Sequence, residues 1–557
     1  MHYFTNKRGL PVLTGKWRST LTAILGVALV CGVTLQAAPG LAHARAHAAG
    51  SKTIVVDYIA DFSSLDSARC YDTQCYPFMH AMYDQLVGYD TAHGTGLSLI
   101  PDAAAAMPAI SNGGKTYTFQ LRHDVHFWNG RLVTAADWVY SFQRIIDPKS
   151  QAGAAAFWQG IVGATRFAAG KATSVSGIKA AGKFGLRIDL LSPDSTFLYV
   201  LAMPFGSVVD KNQIAKYGKS YGAQHPMGTG PYEFKDYKSG QRLTLARNPH
   251  YFRPGTGHVD SIEADIGVST ETAFLRIQRG QADLDGDFPT PIPPAEFLNV
   301  LSDPTLSKRV AKQVQVATQY IAMNTQMKPF DNVLVRRAVN YAINKPLLVR
   351  LVNGRGSATA TFLPPLMPGY GKYALYSYNP AKARQLLKQA GYPDGFSTTF
   401  YSDNSADDPR ISQAIVPMLG AIGIKAQLKV LPGPQWQAIV QSKGKSPITW
   451  TAWYQDFPDP NDWYEPIMSC ASAVPGTFNM SFYCNPKVDA FAHKLKIMTD
   501  RAARLRLYPQ LDKMVMEDAP VAPVFNSVFY SLPSTSMKRY SISASPWTLV
   551  FQDYVKG

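Results

Sequence analysis

Between residues 320 and 453 the sequence alternates short apolar, β-branched runs with helical stripes, which restricts the chain to an α/β fold. Residues 320–325 read as a buried strand, and 333–343 as a helix. Asn344 with Pro346 starts another helix, which Gly354 stops. Asn379 and Pro380 supply an N-cap and a first-turn proline, Leu386 and Leu387 the buried face, and Gly391 the residue past the end. A strand at 398–401, a helix at 409–421 kinked at Pro417, and strands at 424–430 and 448–453 continue the alternation. Helical patterns at 488–498 and 501–516, the second interrupted by Pro509, precede a final apolar strand at 521–525.

The N-terminus belongs to a different physical class. Lys7, Arg8, Lys16 and Arg18 precede an almost uninterrupted apolar run at 21–38, and small residues follow at Ala42, Ala44, Ala46 and Ala48. That order marks residues 1–48 as a cleaved export signal. The alternative is an uncleaved anchor, since the run nearly spans a bilayer. Cys31 follows the bulky Val30, which argues against lipoprotein processing. The formal charge of +16 is scattered over the sequence, with no run of five basic residues and no nucleic-acid signature, so no nucleic-acid partner is expected. Cys70, Cys75, Cys470 and Cys484 lie beyond the signal, and in an oxidising compartment they allow three pairings, of which the local one closes the shortest loops. No histidines stand beside them at zinc-ligand spacing, and neither a metal nor a cofactor site is read.

Earlier in the chain, 53–58 reads as a strand and 64–75 as a polar loop. A helix at 78–87 would bury Met79, Met82, Tyr83 and Leu86 as core. Tyr117, Phe119 and Leu121 alternate as a half-buried strand, Asn129-Gly130 signals a turn, and Thr134 with Asp137 forms a variant capping box. His123 and His126 face opposite sides of a strand and suit no metal. The small-residue stretch 152–167, carrying Phe157 and Trp158, could approach a ligand. Gly228-Thr229-Gly230 is too short for a phosphate loop and lacks the lysine, so it reads as a close backbone approach to something else.

The stretch from Trp453 to Pro460 follows the strand at 448 with two prolines, two aspartates and large aromatics. A strand entering so rigid a loop looks like the wall of a ligand site; a surface turn with solvated aspartates is the plainer alternative. A desolvated carboxylate beside aromatics needs a cationic partner.

Several segments together resemble one family. These are Gly114-Lys115-Thr116-Tyr117-Thr118-Phe119, Phe127-Trp128-Asn129-Gly130 and Thr134-Ala135-Ala136-Asp137-Trp138; Gly228-Thr229-Gly230-Pro231-Tyr232 leading to Arg247-Asn248-Pro249; Pro329-Phe330-Asp331 with Arg336-Arg337-Ala338; and Tyr378-Asn379-Pro380 with Ala390-Gly391-Tyr392. Their order and spacing resemble the solute-binding proteins of peptide and nickel ABC importers. The resemblance covers nearly everything beyond the signal. It implies a two-lobed, hinge-closing periplasmic binding protein with an inserted subdomain, monomeric, capturing a peptide between its lobes and presenting it to the transmembrane subunits of an ABC permease. The first lobe would comprise 49–82, 222–316 and 522–557, the insertion 83–221, and the second lobe 317–521. The location would be periplasmic, or membrane-associated if the signal stays uncleaved.

The resemblance also assigns residues. Asp456 matches the aspartate that pairs with a ligand's α-ammonium, and Trp453 a cleft tryptophan, with Tyr454 in the same loop; Asp459 is expected to cap the loop. Tyr71 and Thr73 lie in the first-lobe loop that family members turn toward the ligand, where a Cys70–Cys75 bridge would stiffen the site. A Cys470–Cys484 bridge is implied as well. Dipeptide-binding members carry an arginine just past the strand at 398–401, where this chain has residues 402–408 beginning at Ser402, with three acids and no arginine before Arg410. A strict dipeptide ligand is therefore not expected. The rival ligands are a nickel complex, haem or an oligosaccharide; the rival classes are a chaperone or surface protein and a hydrolase using Asp456 and Asp459 as paired carboxylates.

Overall fold

In a computed structural model, the described residues are 52–557 apart from 73, 92, 94–95, 288–290 and 545–548. Two large sheets and one small one organise them. Thr53–Tyr58 is buried along its whole length, as a strand flanked on both sides must be, and runs parallel to Ser261–Ile266 and Leu284–Asp285. Arg242–Arg247 and Tyr232–Lys238 extend this first sheet antiparallel.

The second sheet has seven strands, with Ala317–Met323 near its centre between Val521–Ser531 and Ile448–Tyr454. Phe396–Asp403 runs parallel to both Ile448–Tyr454 and Ile424–Leu431, so the alternating segment forms the expected crossovers. The C-terminal ends of these strands, together with Ala317 and the later half of Val521–Ser531, share one edge. The expected boundary between 521 and 522 falls at the start of Val521–Ser531, a strand the structure places in this second sheet. Its continuous apolar run is satisfied there by burial on both faces.

The third sheet, antiparallel, joins Ala109–Ser111, Thr116–Gln120, Gly185–Asp189 and Ile178–Ala180, all within 83–221. Helix Ala135–Ile146 packs Trp138, Phe142 and Ile145 inward, and Asp137 accepts the Thr134 N–H at 2.9 Å as the capping pattern requires.

Two helices differ from expectation for identifiable reasons. The helix expected over 78–87 is Tyr76–Met82, because the Gly228–Gly230 turn takes its end: the Gly230 N–H donates to the Met82 carbonyl at 2.9 Å. This is the close approach the glycines allow, since a Cβ on Gly228 would lie 1.9 Å from the Met82 oxygen. Pro509 does not interrupt its helix, which runs unbroken over Arg501–Asp518. Leu505, whose carbonyl the proline leaves free, instead faces Gly369, where a Cβ would sit 3.1 Å from that oxygen. Both local cysteine pairs, Cys70–Cys75 and Cys470–Cys484, are bridged.

Gly228→Ala should destabilise the protein by about 1–3 kcal/mol, because the obstructing atom is backbone and cannot swing aside. A urea midpoint unchanged from the parent protein would contradict this.

Candidate functional site

Strand Ile448–Tyr454 ends at the shared edge of the second sheet and enters the loop that carries Asp456. The loop is fixed from below. Asp459 is fully buried and receives both guanidinium nitrogens of Arg504, Nη1 to Oδ1 at 2.9 Å, from helix Arg501–Asp518. Its Oδ1 also accepts the Asn461 N–H at 3.1 Å, so Asp459 caps the loop in addition to its ion pair. A carboxylate locked in a bidentate pair is not free to act as acid or base, and the hydrolase reading of Asp456 with Asp459 loses one of its two members.

Asp456 is in the opposite condition. It is half-buried, and among the described residues no basic side chain lies within ion-pair distance of it. Tyr71 of the first lobe donates its hydroxyl to Asp456 Oδ2 at 2.8 Å. Burial pushes the Asp456 carboxyl up to about 7 despite that hydrogen bond. Asp462 lies beside it, buried, and accepts the Asp456 N–H at 2.8 Å and the Trp453 indole N–H at 3.4 Å. Burial raises the Asp462 carboxyl well above its usual range, and the charge on Asp456 raises it further. Two carboxyl groups thus sit together, with no cation paired to either among the described residues.

Aromatic rings from both lobes close around them. Tyr71, on the loop bridged by Cys70 and Cys75, meets Phe205 edge-on at 5.1 Å and Phe478 of the second lobe at 6.4 Å. Trp453 packs on Phe478 at 5.6 Å. Phe457 reaches across to Phe157 at 5.9 Å and stacks on Tyr199 at 6.1 Å. Tyr76 is buried, its own hydroxyl raised well above the usual range by burial and then by the charge on Asp456.

Asp456, Trp453, Tyr71 and Phe157 therefore come together, and three other candidates do not. Trp158 is fully buried against Phe142 at 4.8 Å, because the short helix Ala155–Trp158 turns adjacent side chains to different sides; it is core. Tyr454 alternates with Trp453 on the strand and so faces the other side of the sheet, where its hydroxyl accepts from Gln319 at 2.8 Å. Ser402 is fully buried and donates to the Asp403 carbonyl at 3.0 Å, leaving nothing for a ligand. Thr73 lies outside the described residues. Sequence reasoning missed Asp462, Phe457, Phe478 and Tyr199. Asp462 was the one with a sequence signal, an acid in the first turn of helix Asn461–Met468, directly after the loop. In the 402–408 stretch, Asp407 is paired by Arg355 and Arg410, each at 2.6 Å, so the acids there are not the repelling cluster that composition suggested.

Residues 98–474 match the family described as bacterial extracellular solute-binding proteins, family 5. The chain is 30% identical over 504 residues to the glutathione-binding protein GsiB of Escherichia coli O1:K1, covering 88% of this chain and 92% of that protein. Its fold is that of the clavulanic acid biosynthesis oligopeptide binding protein 2, with a TM-score of 0.83, 24% identity and 91% and 95% of the two chains covered. The periplasmic binding protein DppA from Helicobacter pylori, solved with the peptide STSA, superposes with a TM-score of 0.78 at 25% identity over 90% of this chain and 98% of that one.

Two predictions separate the two aspartates. Asp459→Ala should cost about 3–5 kcal/mol of stability, as removal of one member of a buried ion pair does; a loss below about 1 kcal/mol would show the pair to be unimportant. Asp456 has a folded pKa of about 7, above the unfolded value near 4, so the folded state holds a proton that the unfolded state has lost. Stability therefore falls as pH rises from about 4 to about 7 and then levels off. Asp456→Asn removes this decline, and urea titrations should find the variant gaining on the parent between pH 5 and pH 8.

Proposed function

The chain belongs to the bacterial extracellular solute-binding proteins of family 5, a family of binding proteins and not enzymes, and from that premise we propose that it captures short peptides between its lobes. One observation carries the reading: the Asp456 carboxyl is desolvated, contacted from both lobes, and has no cation among the described residues. A peptide α-ammonium supplies the missing charge and becomes the bond that holds the lobes together. Glutathione, which GsiB is named for binding, is itself a tripeptide with such an ammonium.

Ligand contacting both lobes stabilises the closed arrangement, and its differential affinity for that arrangement sets the population shift. The closed protein, a monomer outside the cytoplasm, then delivers the peptide to the transmembrane subunits of an ABC permease. Among the described residues no helix is long and apolar enough to cross a membrane. The basic leader at 1–48, which lies outside the described residues, is read as the export signal.

Binding an ammonium favours the ionised form of Asp456, so below about pH 7 binding must expel a proton. Peptide affinity should fall as pH is lowered from 7.5 to 5.5, with calorimetry in buffers of different ionisation enthalpy registering the released proton. Asp456→Ala should weaken peptide binding by about 2–5 kcal/mol. Equal affinity in the variant, or recovery of only sugars or metal complexes by mass spectrometry of the native protein, would refute the reading.

A further inference from the structure

Two contacts join the lobes away from the Asp456 carboxyl, and both end on one short segment of the first lobe, residues 194–199. Phe457 belongs to the second-lobe loop, yet it is 2% exposed and packs within the hydrophobic cluster that the first sheet shares with the insertion. Among the described residues, no other side chain from 317–521 joins that cluster. Its seat is a column of rings, Phe457 on Tyr199 at 6.1 Å and Tyr199 on Tyr89 at 6.5 Å, with Phe157 edge-on at 5.9 Å.

The second contact lies at the start of the same segment. Helix Pro486–Lys496 is anchored in the second lobe by Val488 and Leu495, and it offers its last residue to the first lobe. The Ser195 N–H donates to the Lys496 carbonyl at 2.9 Å. Lys496 Nζ lies 3.4 Å from Asp194 Oδ2 and donates to the two oxygens of Glu465 at 2.8 and 2.7 Å. Asp194 is preset within its own lobe. Its Oδ1 accepts the Thr196 N–H at 2.8 Å and the Thr196 hydroxyl at 2.6 Å, and its carbonyl accepts the Tyr117 hydroxyl at 3.1 Å. Glu465 also accepts from Asn461 Nδ2 at 2.6 Å, which ties Lys496 to the loop that Asp459 caps. Close by, a Cβ on Gly114 would stand 2.9 Å from the Thr499 methyl, so the lobes touch there as well.

Magnitudes rank the two contacts. A phenylalanine moved from water into an apolar seat shifts an equilibrium by about 10-fold or more, a partly exposed ion pair by no more than about 5-fold. Lys496 is already paired with Glu465 in its own lobe, which leaves Phe457 as the stronger member. Neither contact passes through the Asp456 carboxyl, so both form whenever the lobes meet.

We propose that residues 194–199 are a latch on which Phe457 and Lys496 dock independently of ligand, giving the closed arrangement a standing population before any ligand enters. Ligand then deepens a closure toward which the chain is already biased. The inference rests on the opening and closing of the lobes described above and is independent of the ligand being a peptide.

The test uses the full exported protein, freed of co-purified ligand by dialysis from guanidinium, with nitroxides attached at Lys179→Cys and Lys425→Cys, exposed positions on the third and second sheets. Double electron–electron resonance reads the label separation, the closed value being that of the structure described above. The ligand-free parent should show closed and open separations together. Phe457→Ala should lower the closed-to-open ratio by about 10-fold or more, and Lys496→Met by about 2- to 5-fold. A parent showing only the open separation, or a ratio unchanged in both variants, overturns the latch while the closing motion stands. The closed separation alone in the parent and in both variants overturns the latch and the closing motion together. If Phe457→Ala shows no cooperative melting transition, Lys496→Met decides, a lower ratio supporting the latch and an unchanged one overturning it.

Discussion

The buried pair of Asp459 and Arg504 is the constraint on which the rest of the cleft depends. Helix Arg501–Asp518 is held at its length by packing of Tyr508, Leu511 and Val515, and it delivers the guanidinium to a fixed point beneath the loop. With Asp459 pinned there and flanked by Pro458 and Pro460, the loop backbone has few conformations left, and Asp456 three residues earlier is held out toward the first lobe. The two aspartates of one short loop thus divide their work. One is neutralised and structural, the other is desolvated and unneutralised, and the difference is made by a residue 45 positions away.

That division explains what was legible in the sequence. The α/β alternation and the capping residues were readable because each depends on neighbours a few residues apart, whereas the cysteine pairing stayed one of three until the structure bridged both local pairs. Asp456 was singled out through family resemblance. Its state was not legible, because neither Arg504 nor Tyr71 is near it in sequence. Trp158 and Ser402 were misassigned for the same reason. Aromatic and hydroxyl residues near a cleft look alike on paper, and only the packing of Phe142 or the turn of a strand separates lining from core. Tyr454 fell to a simpler rule, since strand alternation sends it to the opposite face from its neighbour Trp453.

The acids at 403–408 teach a related lesson. Counted as charges they argue against any carboxylate ligand. Counted as partners they are already engaged, Asp403 by the Ser405 hydroxyl, Asp407 by two arginines and Asp408 by the Trp450 indole.

The chain crosses between its two large sheets by segments that pair with each other, Ala311–Val314 against the far end of Val521–Ser531. Leu306 and Val310 from one side of the crossing and Tyr530 and Leu532 from the other are anchored together among Phe274, Ile292 and Phe297. Two strands joined rung by rung form a ribbon that bends out of its own plane more readily than it shears within it, since shear breaks hydrogen bonds and bending does not. Such a connection leaves the lobes one soft direction of travel. An opening of the proposed binding cleft along that direction would keep its two halves in register and bring Tyr71 back to Asp456 on closing.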